Sequence, residues 1–216
     1  MSKSLPLTPE LHAYVVAHGS APDEVMGDLV EETLAALPAQ AGMRVAPEQA
    51  AFLTFLTRLL GARRAVEVGT FTGLSSLAIA RGLPEDGQLT CFDISEEYTG
   101  IARRYWARAG VADRIELRIG PAGETLRELP NDRHLDFAFI DADKTGYPVY
   151  WAELVPRMRP GGVVAVDNTL RGGRVLAPQN ADDRAIAAFN DEIMADVRVE
   201  TVLLPIADGL TLARVH

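Results

Sequence analysis

Several things are scarce in this sequence, and each scarcity closes off a class of protein. There is one cysteine, Cys91, so no internal disulfide can form. No apolar run approaches the ~20 residues that cross a bilayer. The N-terminus, MSKSLPLTPELHAYVV, has neither a long apolar core nor a small-residue cleavage site. Positive charge is short as well, with 21 Lys and Arg against 30 Asp and Glu and a net charge of −9. That mean field repels a phosphate backbone, and no block of five basic residues offsets it. Neither nucleic acid nor membrane is therefore expected as a partner, and a soluble cytoplasmic protein is the expectation. Internal repeats, low-complexity tracts and Gly, Pro or Ser-rich linkers are also missing. What remains is 216 residues, 48% hydrophobic and 24% charged, which suits one globular domain with a sizeable core.

Lysine is the scarcest charged residue. There are nineteen arginines but only Lys3 and Lys144. Lys3 is expected in a terminal tail. Lys144 lies inside the chemistry-bearing part of the chain.

The first sixty residues read as helices. Prolines at Thr8-Pro9 and Ala21-Pro22 suit helix starts, where a missing N–H costs nothing. Pro47–Leu60 carries Phe52, Leu53, Leu56, Leu59 and Leu60 at helical spacing and stops at Gly61. From Arg64 the pattern changes to short apolar runs, at Ala65–Val68, Leu89–Phe92, Ile115–Ile119, Leu135–Ile140 and Val163–Val166. Helical stretches fall between them, near Leu74–Arg81, Glu96–Ala109, Ala122–Leu129 and Val149–Met158. Continuous apolar strands alternating with helices predict a parallel sheet covered on both faces. After a helix at Ala181–Ala195, the runs Val199–Leu204 and Leu210–Val215 flank an Asp208-Gly209 turn, which predicts a hairpin and one antiparallel strand. The expected fold is α/β, with about seven strands and a helical cap over residues 1–61.

Ligands of such sheets bind at the carboxyl ends of the strands. The first run ends in Val68-Gly69-Thr70-Phe71-Thr72-Gly73, a glycine turn that lets backbone approach a ligand. It lacks the G-x-G-x-x-G spacing of dinucleotide sites. The second run ends in Asp93, a carboxylate placed to accept ribose hydroxyls. Together they imply a nucleoside-containing ligand without a pyrophosphate. The fourth run ends in Asp141-Ala142-Asp143-Lys144 and the fifth in Asp167-Asn168. If those strands are neighbours, Asp141, Asp167 and Asn168 converge with oxygen donors only. That suits a hard divalent cation, magnesium first, with manganese or calcium as alternatives. Lysine, unlike arginine, can release a proton near neutral pH beside a cation, so Lys144 fits a general base.

These stretches resemble the cation-dependent O-methyltransferases, the family of catechol and caffeoyl-CoA O-methyltransferases. The matching segments are VEVGTFTGLS, CFDIS, GPAGE, FIDADKTGY, RPGG, DNTLRGG and LPIADGLTLAR, which lie between residues 43 and 214 in the family's order. The resemblance implies a class I methyltransferase, Rossmann-like sheet of seven strands with the last inserted antiparallel. It implies that Val45, Glu67, Gly69, Phe71, Gly73, Ser75, Asp93, Ala122 and Asp141 form an S-adenosylmethionine site. Asp141, Asp167 and Asn168 become the metal ligands, and Lys144 and Asp141 the catalytic pair. It also implies a small phenolic acceptor of catechol type and a homodimer.

Two departures stand out. The family's tryptophan after DN-x-L is Arg171 here, which suggests an anionic group on the acceptor. The family's Gly-Gln is Ala50-Ala51. Alternative readings are a metal-independent methyltransferase, a nicotinamide-dependent oxidoreductase, and a non-catalytic binding module on a related fold.

Overall fold

The computed structural model describes residues 5–216, which leaves Lys3 outside the described residues. Seven strands form one sheet: β1 Arg64–Val68, β2 Gln88–Asp93, β3 Ile115–Ile119, β4 Leu135–Ile140, β5 Met158–Asp167, β6 Val199–Leu204 and β7 Leu210–Val215. Their order is β3-β2-β1-β4-β5-β7-β6. The first five run parallel, and β7 is antiparallel to both β5 and β6. This is the class I methyltransferase sheet. No helix among the described residues is long and apolar enough to cross a membrane.

The helices are α1 Pro9–Ala17, α2 Glu24–Ala36, α3 Pro47–Leu59, α4 Leu74–Gly82, α5 Glu96–Arg108, α6 Ala122–Thr125, α7 Tyr147–Leu154 and α8 Ala181–Ala195. Alternate strand residues feed two cores. Ala65, Leu89, Cys91, Phe137, Phe139, Val163 and Ala165 pack under α2–α5. Val66, Val68, Phe92, Ala138, Ile140, Val164 and Val166 pack under α6–α8. Burial on both faces is why these strands read as unbroken apolar runs rather than as alternation.

Several expected boundaries shift. Pro9 does open α1 behind the Thr8 cap, but Pro22 lies outside α2, whose cap is Asp23 accepting from the Met26 N–H. The helix expected at Val149–Met158 starts at Tyr147 and ends at Leu154, because Pro148 belongs to its first turn. The helix expected at Ala122–Leu129 is α-helical only to Thr125 and tightens into a 3-10 turn over Leu126–Glu128. The fifth strand begins at Met158, five residues early, and takes Pro160-Gly161-Gly162 through a register shift against β4. An irregularity of that kind is where a strand tolerates proline.

Candidate active site

A cavity of about 1100 Å³ opens at the carboxyl ends of β1, β2, β4 and β5. Four non-glycine residues have left-handed φ among the described residues, namely Phe71, Asn168, Arg171 and Ala207, and all four line this cavity. Strain of that kind persists only where surrounding structure holds it.

One half of the cavity is built on the turn after β1. Gly69 has φ +91°, and a Cβ there would lie 1.9 Å from the Asp141 carbonyl oxygen. Only glycine lets β1 and β4 end side by side. Asp93 ties the turn down, its Oδ2 accepting from the N–H groups of Thr70 and Phe71, each at 2.8 Å. Its Oδ1 accepts from the Ser95 N–H at 2.8 Å. A carboxylate offers about four lone-pair sites, and with three taken by backbone N–H groups Asp93 keeps one, on Oδ1, for a ligand hydroxyl. Val45, Phe71, Ser75 and Ala122 line the same half.

Two residues assigned to the donor site sit elsewhere. Gly73 is turned toward α5, where an added Cβ would meet the Ala102 Cβ at 2.6 Å, so this glycine allows α4 to pack on α5. Glu67 is wholly buried on β1 and does not reach the cavity surface. Burial pushes its pKa to about 7, an effect that Ser75, Thr70 and Cys91 offset only in part. Neither of its oxygens makes a hydrogen bond of full geometry. Between about pH 4.5 and 7 the folded chain keeps a proton on Glu67 that the unfolded chain has lost, so stability falls as pH rises through that window. Urea unfolding of the ligand-free protein should find Glu67→Gln more stable than wild type at pH 8, by on the order of 3 kcal/mol, with the gain vanishing near pH 4.5. A gain that does not vary with pH would contradict a proton held at Glu67.

The other half gathers the acidic strand ends. Ile140 and Val166 are register partners on β4 and β5, so Asp141 and Asp167 follow at adjacent positions. Asp167 is nearly inaccessible, and burial followed by the charge of Asp141 raises its pKa to about 7. The Asn168 N–H donates to Asp167 Oδ1 at 2.7 Å, and Asn168 lines the cavity together with Asp141 and Asp167. Lys144 Nζ donates to Asp141 Oδ1 at 3.0 Å and to the Tyr147 hydroxyl at 2.7 Å. Tyr147 passes its own proton toward the Asp167 carbonyl at 3.1 Å. Among the described residues no three His, Cys, Asp or Glu side chains gather as metal ligands, so the set is two carboxylates and one amide. Two crowded carboxylates served by a single lysine are under-neutralised, and their oxygen-only chemistry fits a hard divalent cation.

Sequence reasoning missed three contributors. Tyr147 fixes Lys144, and its only signal was a spacing of one helical turn. Gln49, buried on α3, faces Asp167 across the chain. Tyr150 donates to Asp143 at the cavity wall. The expectation for Arg171 needs correction. Its guanidinium is not an open positive charge, because Nε bonds Asp183 at 3.2 Å and Nη2 lies 3.7 Å from Asp182.

Comparison with known proteins agrees with this geometry. The family model described as "O-methyltransferase" matches residues 17–216. The Dictyostelium discoideum protein named "Probable caffeoyl-CoA O-methyltransferase 2" is 41% identical over 205 residues, covering 92% of this chain and 88% of the relative. Among solved structures, the Bacillus cereus O-methyltransferase in complex with SAH is 33% identical with a TM-score of 0.86, over 96% of this chain and 97% of that one. TomG of Streptomyces achromogenes in complex with SAM is 30% identical with a TM-score of 0.86, over 95% and 96%. With the sheet order, the glycine turn and the acidic strand ends in place, this chain belongs to the O-methyltransferase family.

Proposed function

We propose that this enzyme transfers the methyl group of S-adenosylmethionine to one hydroxyl of a vicinal diphenol, with a divalent cation as cofactor and Lys144 as base. The observation that carries the reading is the amine of Lys144, held at once by Asp141 and Tyr147 beside the buried carboxylate of Asp167. A binding module has no use for that arrangement.

The donor brings a methyl on a sulfonium, already a good leaving group, so the protein needs no covalent intermediate. Asp93 accepts a ribose hydroxyl with its remaining lone pair, while Val45, Ser75 and Ala122 supply the closely fitted wall. Asp141, Asp167 and Asn168 would hold the cation, which supplies Lewis acidity that eases ionisation of a bound phenol. Lys144 Nζ takes the proton of the attacking hydroxyl as the oxygen–methyl bond forms and the sulfur–methyl bond breaks. Tyr147 keeps Nζ in place. The remainder of the rate comes from alignment in a cavity whose walls are already shaped.

The test is methyl transfer to a panel of vicinal diphenols and their monophenol analogues, before and after chelation with EDTA. Turnover of the diphenols, loss on chelation and recovery with magnesium are expected. Activity that survives complete chelation removes the cation from the reaction, and equal turnover of monophenols removes the diphenol.

A further inference from the structure

The loop after β5 carries Asn168 and Arg171 into the acceptor-side wall. It is wound in a way a free chain avoids, with left-handed φ at Asn168 (58°), Arg171 (50°), Gly172 (60°) and Gly173 (82°). Three anchors hold it. The N–H groups of Thr169 and Leu170 donate to the carbonyls of Gly209 and Asp208, at 3.1 and 2.9 Å, in the turn between β6 and β7. Asn190 on α8 donates from Nδ2 to the Thr169 carbonyl at 2.8 Å.

The third anchor is Asp183, in the first turn of α8 and without exposed surface. Its carboxylate accepts from Arg171 Nε at 3.2 Å, from Arg174 Nε at 3.1 and 3.2 Å, and from the Gln179 N–H at 3.2 Å. Burial opposes its charge, yet the Gln179 N–H, Arg174 and Arg171 outweigh burial and hold its pKa below the usual carboxylate range. The Asp183 N–H in turn donates to the cap residue Asn180 at 2.9 Å. A helix cap needs only the Gln179 and Asn180 contacts. Two guanidinium groups from the preceding loop, converging on the same buried carboxylate, are superfluous for starting a helix. They tie the loop to α8.

We propose that Asp183 is a positioning residue for acceptor binding. Through Arg171 and Arg174 it fixes residues 168–177 as a rigid wall of the acceptor pocket. Arg171 thereby acts as a strut whose charge is already met, not as a receptor for an acceptor carboxylate. This rests on the reading of the site as transfer to a small diphenol.

Asp183→Asn removes the charge and keeps the shape. Arg174→Gln is a milder second variant, on a partly exposed side chain that does not line the cavity. Each is compared with wild type by hydrogen exchange over 169–177, by calorimetric binding of S-adenosylmethionine, and by acceptor kinetics with a vicinal diphenol. Exchange should quicken at the amides of Gly173 and Ala177, which donate to Leu170 and Arg174 within the loop. Acceptor KM should rise about ten-fold or more while the donor Kd stays within about two-fold. Unchanged exchange and KM in the variants overturn the proposal. So does a parallel loss of donor and acceptor affinity, which would make Asp183 a general support of the fold. Should Asp183→Asn fail to fold, Arg174→Gln decides by the same readings. If wild type methylates no diphenol, the proposed reaction fails, while exchange and donor binding still decide the clamp.

Discussion

Replacing Lys144 with methionine should lower kcat by about 10²–10⁴ while the Kd for S-adenosylmethionine stays within about two-fold. Nζ is part-buried and held from two sides, 3.0 Å from Asp141 and 2.7 Å from the Tyr147 hydroxyl. Tyr147 cannot replace it as the base. Burial first, then the charges of Asp141 and Asp167, push the phenol pKa well above its usual value, so it stays protonated. Methionine keeps most of the side-chain volume and removes the proton acceptor. Lys144→Arg separates charge from proton transfer, because arginine retains the cation beside Asp141 but does not release its proton near neutral pH. Both variants should be equally slow in single-turnover assays with bound donor. Near-wild-type turnover by the arginine variant would mean that charge is what matters, and the base assignment would fall.

Gly69→Ala should abolish donor binding and destabilise the fold by about 3 kcal/mol or more. The new Cβ would sit 1.9 Å from the Asp141 carbonyl oxygen and 2.6 Å from its carbon. Both are backbone atoms, so no side chain can rotate away. The residue also holds φ +91°, a conformation that costs any side chain. Relief requires β1 and β4 to separate just where the Asp141 N–H donates to the Val68 carbonyl at 2.8 Å. The donor turn and the acidic strand end would move together. Gly73→Ala is the comparison. Its Cβ meets Ala102 and the Trp106 Nε1, so it should cost stability through helix packing and leave donor affinity less affected. Calorimetric titration with S-adenosylmethionine and urea unfolding measure the two effects. Wild-type donor affinity in Gly69→Ala would show that the close approach at Asp141 is dispensable.

The readable part of this chain was whatever depends on near neighbours. Four of the five parallel strands were visible as apolar runs because helices cover both faces, while β3 at the sheet edge alternates as Ile-Glu-Leu-Arg-Ile. Asp208-Gly209 announced the closing hairpin, since a left-handed turn favours glycine. Asp93, Asp141, Lys144, Asp167 and Asn168 could be picked out because a strand's carboxyl end is a position along the sequence, and ligands of such sheets bind there. Helix α7 was misplaced because Val155 and Met158 continue the apolar pattern beyond Leu154 while Pro148 lies in its first turn, and only the packed structure says where the helix stops.

What folding alone decided were partnerships across the chain. Whether Asp141 and Asp167 share a site depends on β4 lying beside β5. Gln49 comes to Asp167 only because the first turn of α3 borders the cavity at the strand ends, and Glu67 falls below the cavity rather than into it. Arg171 looked like a free charge from its neighbours in sequence, and Asp183 twelve residues later consumes it. Residue chemistry is local and survives in the letters. Neutralisation and desolvation depend on what lies a few ångströms away in space, and so arise only when the chain closes on itself.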